Sequence, residues 1–500
     1  MRYYVTDTGD IIKMEDTGPL PITSCPSAPI PAVHYWIPLT PLEQMANQEY
    51  DVLIVGSGAG GASALWRLCE QWRGTGMRVG IVEQGDAVLP TNARNLSIMS
   101  GRLDNYYTYL SRPVPDLPEA RVTYALGGRT LFWNAIIPRI LPSVFADWPI
   151  SYEEIEPYYN IAERILNRSE RPPLTFPLPE MLLSRLWTGG FPEAIYSPMA
   201  LEYDTLTVSG RIQSEVYFSS FSLMAEALNH LPFDLAVRSR AVQIVRDHHA
   251  VRGVNVMSPD KKMHFIRAKN VVLSASWLET PRLLLYSGIP GKAIGRYLTN
   301  HSFIRASGTF RPEDSPVNDV QFFDLLIPQV ENHPYQIQIF RTGRLEDRRI
   351  AFLALGIVEP RFENRVRLNP CQLDEDGIPR VQVDFSYSTR DLATIQVAAR
   401  ADLQAIRAAG LTQDLENGRP NVCLRPIGYG NHESGTCRMG DDPETSATDR
   451  YGQIHGIDGL YVADNSVIPF MGASNPTLTT VALAIRTADH IVRKTQRHLL

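Results

Sequence analysis

The sequence predicts a mixed α/β chain in an α+β arrangement, built on two kinds of sheet. One is parallel and buried on both faces, the other antiparallel. Two observations carry this. Short apolar runs rich in β-branched residues, at 52–55, 79–82 and 270–276, each lie beside a helical pattern, as buried parallel strands do. From 301 to about 420 strict alternation dominates instead, and 336–340, 351–359 and 381–387 read as strands of an antiparallel sheet.

The first run opens the most informative stretch. After Val52-Leu53-Ile54-Val55 comes Gly56-Ser57-Gly58-Ala59-Gly60-Gly61, then Leu65, Leu68, Cys69 and Trp72 at helical spacing, then Gly74 and Gly76 as a stop. Val79–Val82 returns as a strand with Glu83 at its carboxyl end. Strand, G-x-G-x-x-G, helix, strand and terminal acid together make a Rossmann-type dinucleotide site. Gly56 permits the tight turn, Gly58 the approach of a pyrophosphate, and Gly61 the close packing of helix on strand. Gly56, Gly58, Ala59, Gly60 and Gly61 are therefore candidate cofactor contacts, with phosphates at the helix N-terminus. Glu83, about 20 residues further on, suits a ribose hydroxyl. This unit fits FAD and NAD equally.

With 500 residues, the chain can bury a large core in two or three domains. A net charge of −6 gives no reason to expect nucleic acid or anionic lipid as a partner. The five cysteines (25, 69, 371, 423 and 437) are widely spaced and form no metal-type pattern, so no metal is expected. Reduced thiols, no apolar signal core and no run of 18 apolar residues point to a cytoplasmic protein without a membrane span.

Residues 3–14 suggest a hairpin around Thr8-Gly9-Asp10, and the proline-rich 19–41 stretch an extended strap. Tyr106, Tyr107 and Tyr109 mark an aromatic segment. The loop Leu126-Gly127-Gly128-Arg129-Thr130-Leu131-Phe132-Trp133-Asn134-Ala135 suits backbone running against a flat ring. Ser151 and Glu154 form a capping box for a helix. Residues 241–245 and 251–257 make a hairpin through His248 and His249, and a helix from Glu279 is started by Pro281. Further on come a helix at 391–410, a strand at 459–464, the turn 472–477 and a helix at 478–494.

The C-terminal part carries a resemblance. Asn431-His432-Glu433-Ser434-Gly435-Thr436-Cys437-Arg438-Met439-Gly440, then 455–464, then Asn475-Pro476-Thr477-Leu478-Thr479, is similar to the signature end of the glucose–methanol–choline oxidoreductases. Trp148-Pro149-Ile150-Ser151-Tyr152, Leu278-Glu279-Thr280-Pro281-Arg282 and Asn364-Arg365-Val366 agree in order and spacing. Within that family the chain most resembles the pyranose oxidase branch with its bacterial sugar and glycoside oxidases.

The resemblance implies FAD as cofactor and a discontinuous FAD-binding domain (49–150, 235–300 and 425–500). The substrate-binding domain would then comprise 151–234 and 301–424, with 1–48 as an N-terminal arm. It implies His432 as the base and Asn475 as the partner that orients the substrate oxygen, beside a flavin whose N5 receives a hydride. The remaining histidines, His301 and His455 among them, are read as structural. Further cofactor contacts implied are Gly128, Thr130, Trp133, Asn134, Val242, Asp464, Pro476 and Thr477. Asn134 would lie near N5, where the family's usual hydroxyl is replaced by an amide, and the helix at Thr477 would face the flavin pyrimidine. Where pyranose oxidases often carry a flavin-linked His, this chain has Phe132, so the FAD is expected to be non-covalent. The expected reaction is oxidation of a secondary alcohol on a sugar, glycoside or polyol-like compound, with electrons passed to O2 or a quinone-like acceptor. A cyanohydrin-cleaving lyase of the same family and a non-catalytic FAD-binding protein are the alternatives. The sequence is compatible with an oligomer.

Overall fold

The structure, a computed structural model, describes residues 3–5, 11–13, 37–96, 110–170, 177–203, 215–310, 324–341 and 348–499. The chain divides into two units, Met1–Pro38 and Leu39–Leu500. In the first, Tyr3–Val5 and Ile11–Lys13 pair antiparallel, as the hairpin reading expects. Most of the proline-rich strap and the tyrosines at 106, 107 and 109 lie outside the described residues.

The second unit holds both sheets. Strands β1 (Glu49–Val55), β2 (Val79–Val82), β3 (Asp234–Ala236), β4 (Arg240–Arg246), β5 (Val251–Met257) and β6 (Met263–Leu273) stand in the spatial order β3-β2-β1-β6-β5-β4. The β1–β2, β2–β3 and β1–β6 pairings are parallel, and the strand Leu460–Val462 joins parallel to the end of β6. Strand β6 begins earlier than residue 270. Its first part, residues 263–267, pairs antiparallel with β5. Its last part, Val271 to Leu273, is fully buried between β1 and Leu460–Val462. The buried apolar run is therefore only the second half of a longer strand.

Helix α1 (Ala59–Gln71) follows β1 and sits against it more closely than side chains would permit. A Cβ on Gly61 would stand 2.0 Å from the Gly56 carbonyl oxygen, and one on Gly60 1.8 Å from that of Ala463. The second sheet contains β7 (Ser302–Thr309), β8 (Asp324–Ile327), β9 (Tyr335–Arg341) and β10 (Arg349–Gly356) in the order β7-β10-β9-β8, all antiparallel. Alternation assigns its two faces. Ile304, Ala306, Ile337, Ile339, Phe352 and Ala354 pack against Ile395, Ala398, Ala401 and Ala405 of a helix at Thr389–Ala408. The opposite parity, Phe303, Gln338 and Leu353, lines a cavity.

Three local expectations are corrected. The helix Tyr152–Ile165 is capped by Ser151, whose hydroxyl accepts the Glu154 N–H at 3.3 Å, but the return half of the box is absent. The Glu154 carboxylate instead pairs with Arg450 and Arg486, two guanidiniums that outcompete one backbone N–H. Residues 381–387 do not join the second sheet: Pro379–Asp384 pairs with Arg365–Leu373 in a separate ribbon. Pro281 does not start its helix, which runs over Ser276–Tyr286 with the proline inside. A proline there leaves the carbonyl four residues back without its N–H. That carbonyl, of Trp277, accepts the Thr436 hydroxyl at 2.7 Å, so the family-like motif at 431–440 repairs the helix. Thr436→Val is expected to cost about 1–3 kcal/mol, the penalty of a buried carbonyl left unpaired. Thermal melting measures this, and an unchanged midpoint would show that the carbonyl finds another donor.

Candidate active site

The cavity has a volume of about 580 Å³. Val55 to Gly60 and Glu83 border it, as do Ser239, Ala241, Gly128 to Thr130, Phe132 to Ala135, Asp464, His432, Asn475 and Thr477. The glycine loop is tied down by a residue the motif reading passed over. Ser57 donates its hydroxyl to Glu83 Oε2 at 2.6 Å and accepts the Gly127 N–H at 3.0 Å. Glu83 also accepts the Ser57 N–H at 3.0 Å and, through Oε1, the Gly85 N–H at 2.8 Å. Its carboxylate thus shapes the loop before any ribose is considered. Burial pushes its pKa up, against these hydrogen bonds.

The loop at 126–135 folds back on this unit. A Cβ on Gly128 would lie 3.2 Å from Gly58 Cα. Thr130 donates to the Gly127 carbonyl at 2.6 Å and accepts the Ser220 N–H at 2.9 Å. Trp133 donates to the Phe218 carbonyl at 2.9 Å, and the Asn134 amide oxygen accepts from Arg94. Asp464 accepts the Ser276 N–H at 2.9 Å and the Thr280 hydroxyl at 2.6 Å. Gly61, Val242 and Pro476 do not border the cavity. Gly61 is a packing position, Val242 is buried with Met257 and Ile378, and the Pro476 carbonyl accepts the Thr480 N–H at 2.9 Å.

Elsewhere along the cavity wall His432 and Asn475 meet. Asn475 Nδ2 lies 3.3 Å from His432 Nε2. The Asn475 oxygen accepts from Gln336 at 2.7 Å and from Gln338 at 3.0 Å, both on β9. These two donors fix which way the amide points. Behind His432 stands His301, its Nδ1 3.0 Å from His432 Nδ1 and its Nε2 3.0 Å from the Gly472 carbonyl oxygen. His301, read from the sequence as structural, is thus in direct contact with the candidate base. Desolvation holds the pKa of His432 well below the ordinary imidazole value, and His301 and Arg129 push the same way. Burial pushes His301 down to about 4. Both rings are neutral near pH 7.

The arrangement suits a dinucleotide. Gly58 caps α1 without any side-chain hydrogen bond, and a Cβ there would meet open space. The first N–H groups of α1 and its positive dipole end are thus available to a pyrophosphate. Phe132 borders the cavity and offers no nucleophile to a flavin ring.

Comparison with known proteins agrees. Family models described as GMC oxidoreductase match residues 209–303 and 360–484. Paromamine 6'-oxidase of Streptomyces fradiae is 27% identical, over 89% of this chain and 92% of that protein. C-glycoside 3-oxidase of Microbacterium trichothecenolyticum is 34% identical over 45% and 47% of the respective chains. Among solved structures, pyridoxine 4-oxidase from Mesorbium loti superposes with a TM-score of 0.68 at 17% identity, over 88% of this chain and 99% of that one. The chain is similar to the GMC oxidoreductases over both matched segments. It is an FAD-dependent oxidoreductase. Among the described residues no helix is long and apolar enough to cross a membrane.

Proposed function

We propose that this enzyme oxidises a secondary alcohol of a sugar, glycoside or polyol-like compound to the ketone. The observation that carries the reading is the juxtaposition of His432 Nε2 and Asn475 Nδ2 in the cavity wall. A hydroxyl placed between them can give its proton to the imidazole while its oxygen accepts from the amide. Neutral His432 is in the state a base requires. Gln336 and Gln338 keep the amide N–H aimed at that oxygen. Bound FAD supplies the hydride acceptor for the carbon that carries the hydroxyl.

In this reading residues 49–150, 235–300 and 425–500 bind FAD, and 151–234 and 301–424 shape the substrate space. Phe303, Gln338 and Leu353, which line the cavity from the second sheet, support that division. Phe132, Trp133, Phe303 and Tyr429 give the cavity flat apolar surfaces suited to the carbon faces of a sugar ring, with a few polar groups to orient it. The relatives named as acting on paromamine and on C-glycosides support the sugar class. Electrons leave to O2 or to a quinone-like acceptor.

The test follows the visible flavin spectrum of the purified protein. Sugars, glycosides and polyols are added without air, and air is then admitted. Bleaching by one of these compounds is the expected result. Rapid recovery in air would identify an oxidase, and slow recovery a dehydrogenase. A band that no compound of the panel bleaches would overturn the substrate class.

A further inference from the structure

His432 can act as a base on a substrate only if Nε2, the nitrogen beside Asn475, carries the lone pair. A neutral imidazole has two tautomers, and in water they interconvert freely. The structure contains a chain of contacts that selects between them.

The chain starts at Gly472. Its carbonyl oxygen lies 3.0 Å from His301 Nε2 and can only accept. His301 Nε2 must therefore carry the hydrogen. A neutral His301 then has a bare lone pair at Nδ1. That atom lies 3.0 Å from His432 Nδ1, so His432 must donate from Nδ1. Its own hydrogen being there, His432 presents a lone pair at Nε2. The other end agrees independently. Gln336 and Gln338 both donate to the Asn475 oxygen, so Asn475 presents its N–H to His432 Nε2, which must accept. Reversing the hydrogens would set two lone pairs face to face between His301 and Gly472, and two N–H groups face to face at Asn475. His301 is 2% exposed, so no bulk water relieves such a clash.

We infer that His301 is a positioning residue that locks His432 in the Nδ1-protonated tautomer, with Nε2 free to take the substrate proton. The catalytic part of this inference rests on the alcohol-oxidation reading above; the tautomer itself does not. Phe303 completes the setting, its ring within 5.3 Å of the His432 ring and 6.0 Å of the His301 ring. An imidazole held by a partner at its far nitrogen is a recurrent device, and choosing the wrong tautomer has cost a serine protease about 10⁴-fold in rate.

The test uses holoenzyme labelled with ¹⁵N in its histidines, and His432→Asn to assign the His432 signal. In the resting enzyme, His432 should show a protonated Nδ1 and an unprotonated Nε2. His301→Gln keeps both functions, since its amide can donate to Gly472 and accept from His432; it should retain that pattern and most of the rate. His301→Leu removes the acceptor. His432 should then lose the single-tautomer pattern. The rate of substrate oxidation should fall by about 10²-fold or more, within the range a general base supplies, with KM changed far less than kcat and the FAD spectrum intact. A wild-type His432 protonated at Nε2 overturns the inference, whether or not the leucine variant folds. So does a His301→Leu enzyme whose His432 pattern is unchanged. Failure to oxidise any sugar would instead count against the proposed function, because the nitrogen signals are read without substrate.

Discussion

Replacing His432 by alanine is expected to slow substrate oxidation by about 10²–10⁴-fold, the share a positioned general base contributes, while FAD remains bound. The side chain borders the cavity and meets Asn475, His301 and Phe303, none of them in the glycine loop, so cofactor retention should not depend on it. Stopped-flow bleaching of the flavin band measures the loss. A variant that reduces as fast as the native enzyme would remove His432 from the chemistry. The pH profile supplies a second check. Desolvation, with His301 and Arg129, places the His432 pKa well below 6.5. A group with a lowered pKa stays in its basic form as pH falls through its ordinary value. The rate should therefore stay level between about pH 8 and 6, where a free imidazole would lose its basic form. A fall centred near the ordinary imidazole value would contradict this environment.

The second large effect belongs to Gly60. A Gly60→Ala chain should be recovered with little FAD and with stability lowered by about 1–3 kcal/mol, the cost of overpacking a tight site. The added Cβ would meet the Ala463 oxygen at 1.8 Å and the Ser274 hydroxyl oxygen at 2.9 Å. The first is backbone, held in place where Ser274 Oγ donates to it at 2.9 Å, and cannot rotate aside as a side chain would. Relief requires α1 to move, which carries its N-terminus off the phosphate position. The ratio of flavin to protein absorbance, together with a melting curve, measures both losses. Full FAD content at native stability would show that the contact relaxes cheaply.

How much of this was legible depended on how local the signal is. The β1–loop–α1–β2 unit reads directly, because its glycines, apolar runs and acid lie within one short segment and each has a backbone reason to be there. His432 and Asn475 were found through a family-like motif rather than through periodicity. His301 carries no such motif. Its importance arises only when β7 is laid in the second sheet and the ring is brought to His432, 131 positions away. Ser57 was hidden differently. It sits inside the fingerprint at a position free to vary, and its bonds to Glu83 and Gly127 appear only in three dimensions. Pro281 misled because proline usually marks a helix start, whereas here a distant hydroxyl satisfies the freed carbonyl. The split fate of the alternating strands has a similar cause. Period 2 announces a strand but does not say which neighbour it pairs with, so the alternation at 381–387 looks the same in the second sheet as in the ribbon with Arg365–Leu373 where it lies.

Strand β6 has a consequence for how the protein is made. Its last residues are flanked by β1 on one side and by Leu460–Val462 on the other. A ribosome delivers the first partner more than two hundred residues before β6 and the second nearly two hundred after it. Until the later segment emerges, that edge of the nascent sheet is an open row of backbone donors and acceptors on an apolar strand. Such edges recruit other chains. Closing the sheet at so great a sequence separation is also slow. Yield on expression should therefore respond to chaperone supply and to growth temperature more than the stability of the finished enzyme would suggest.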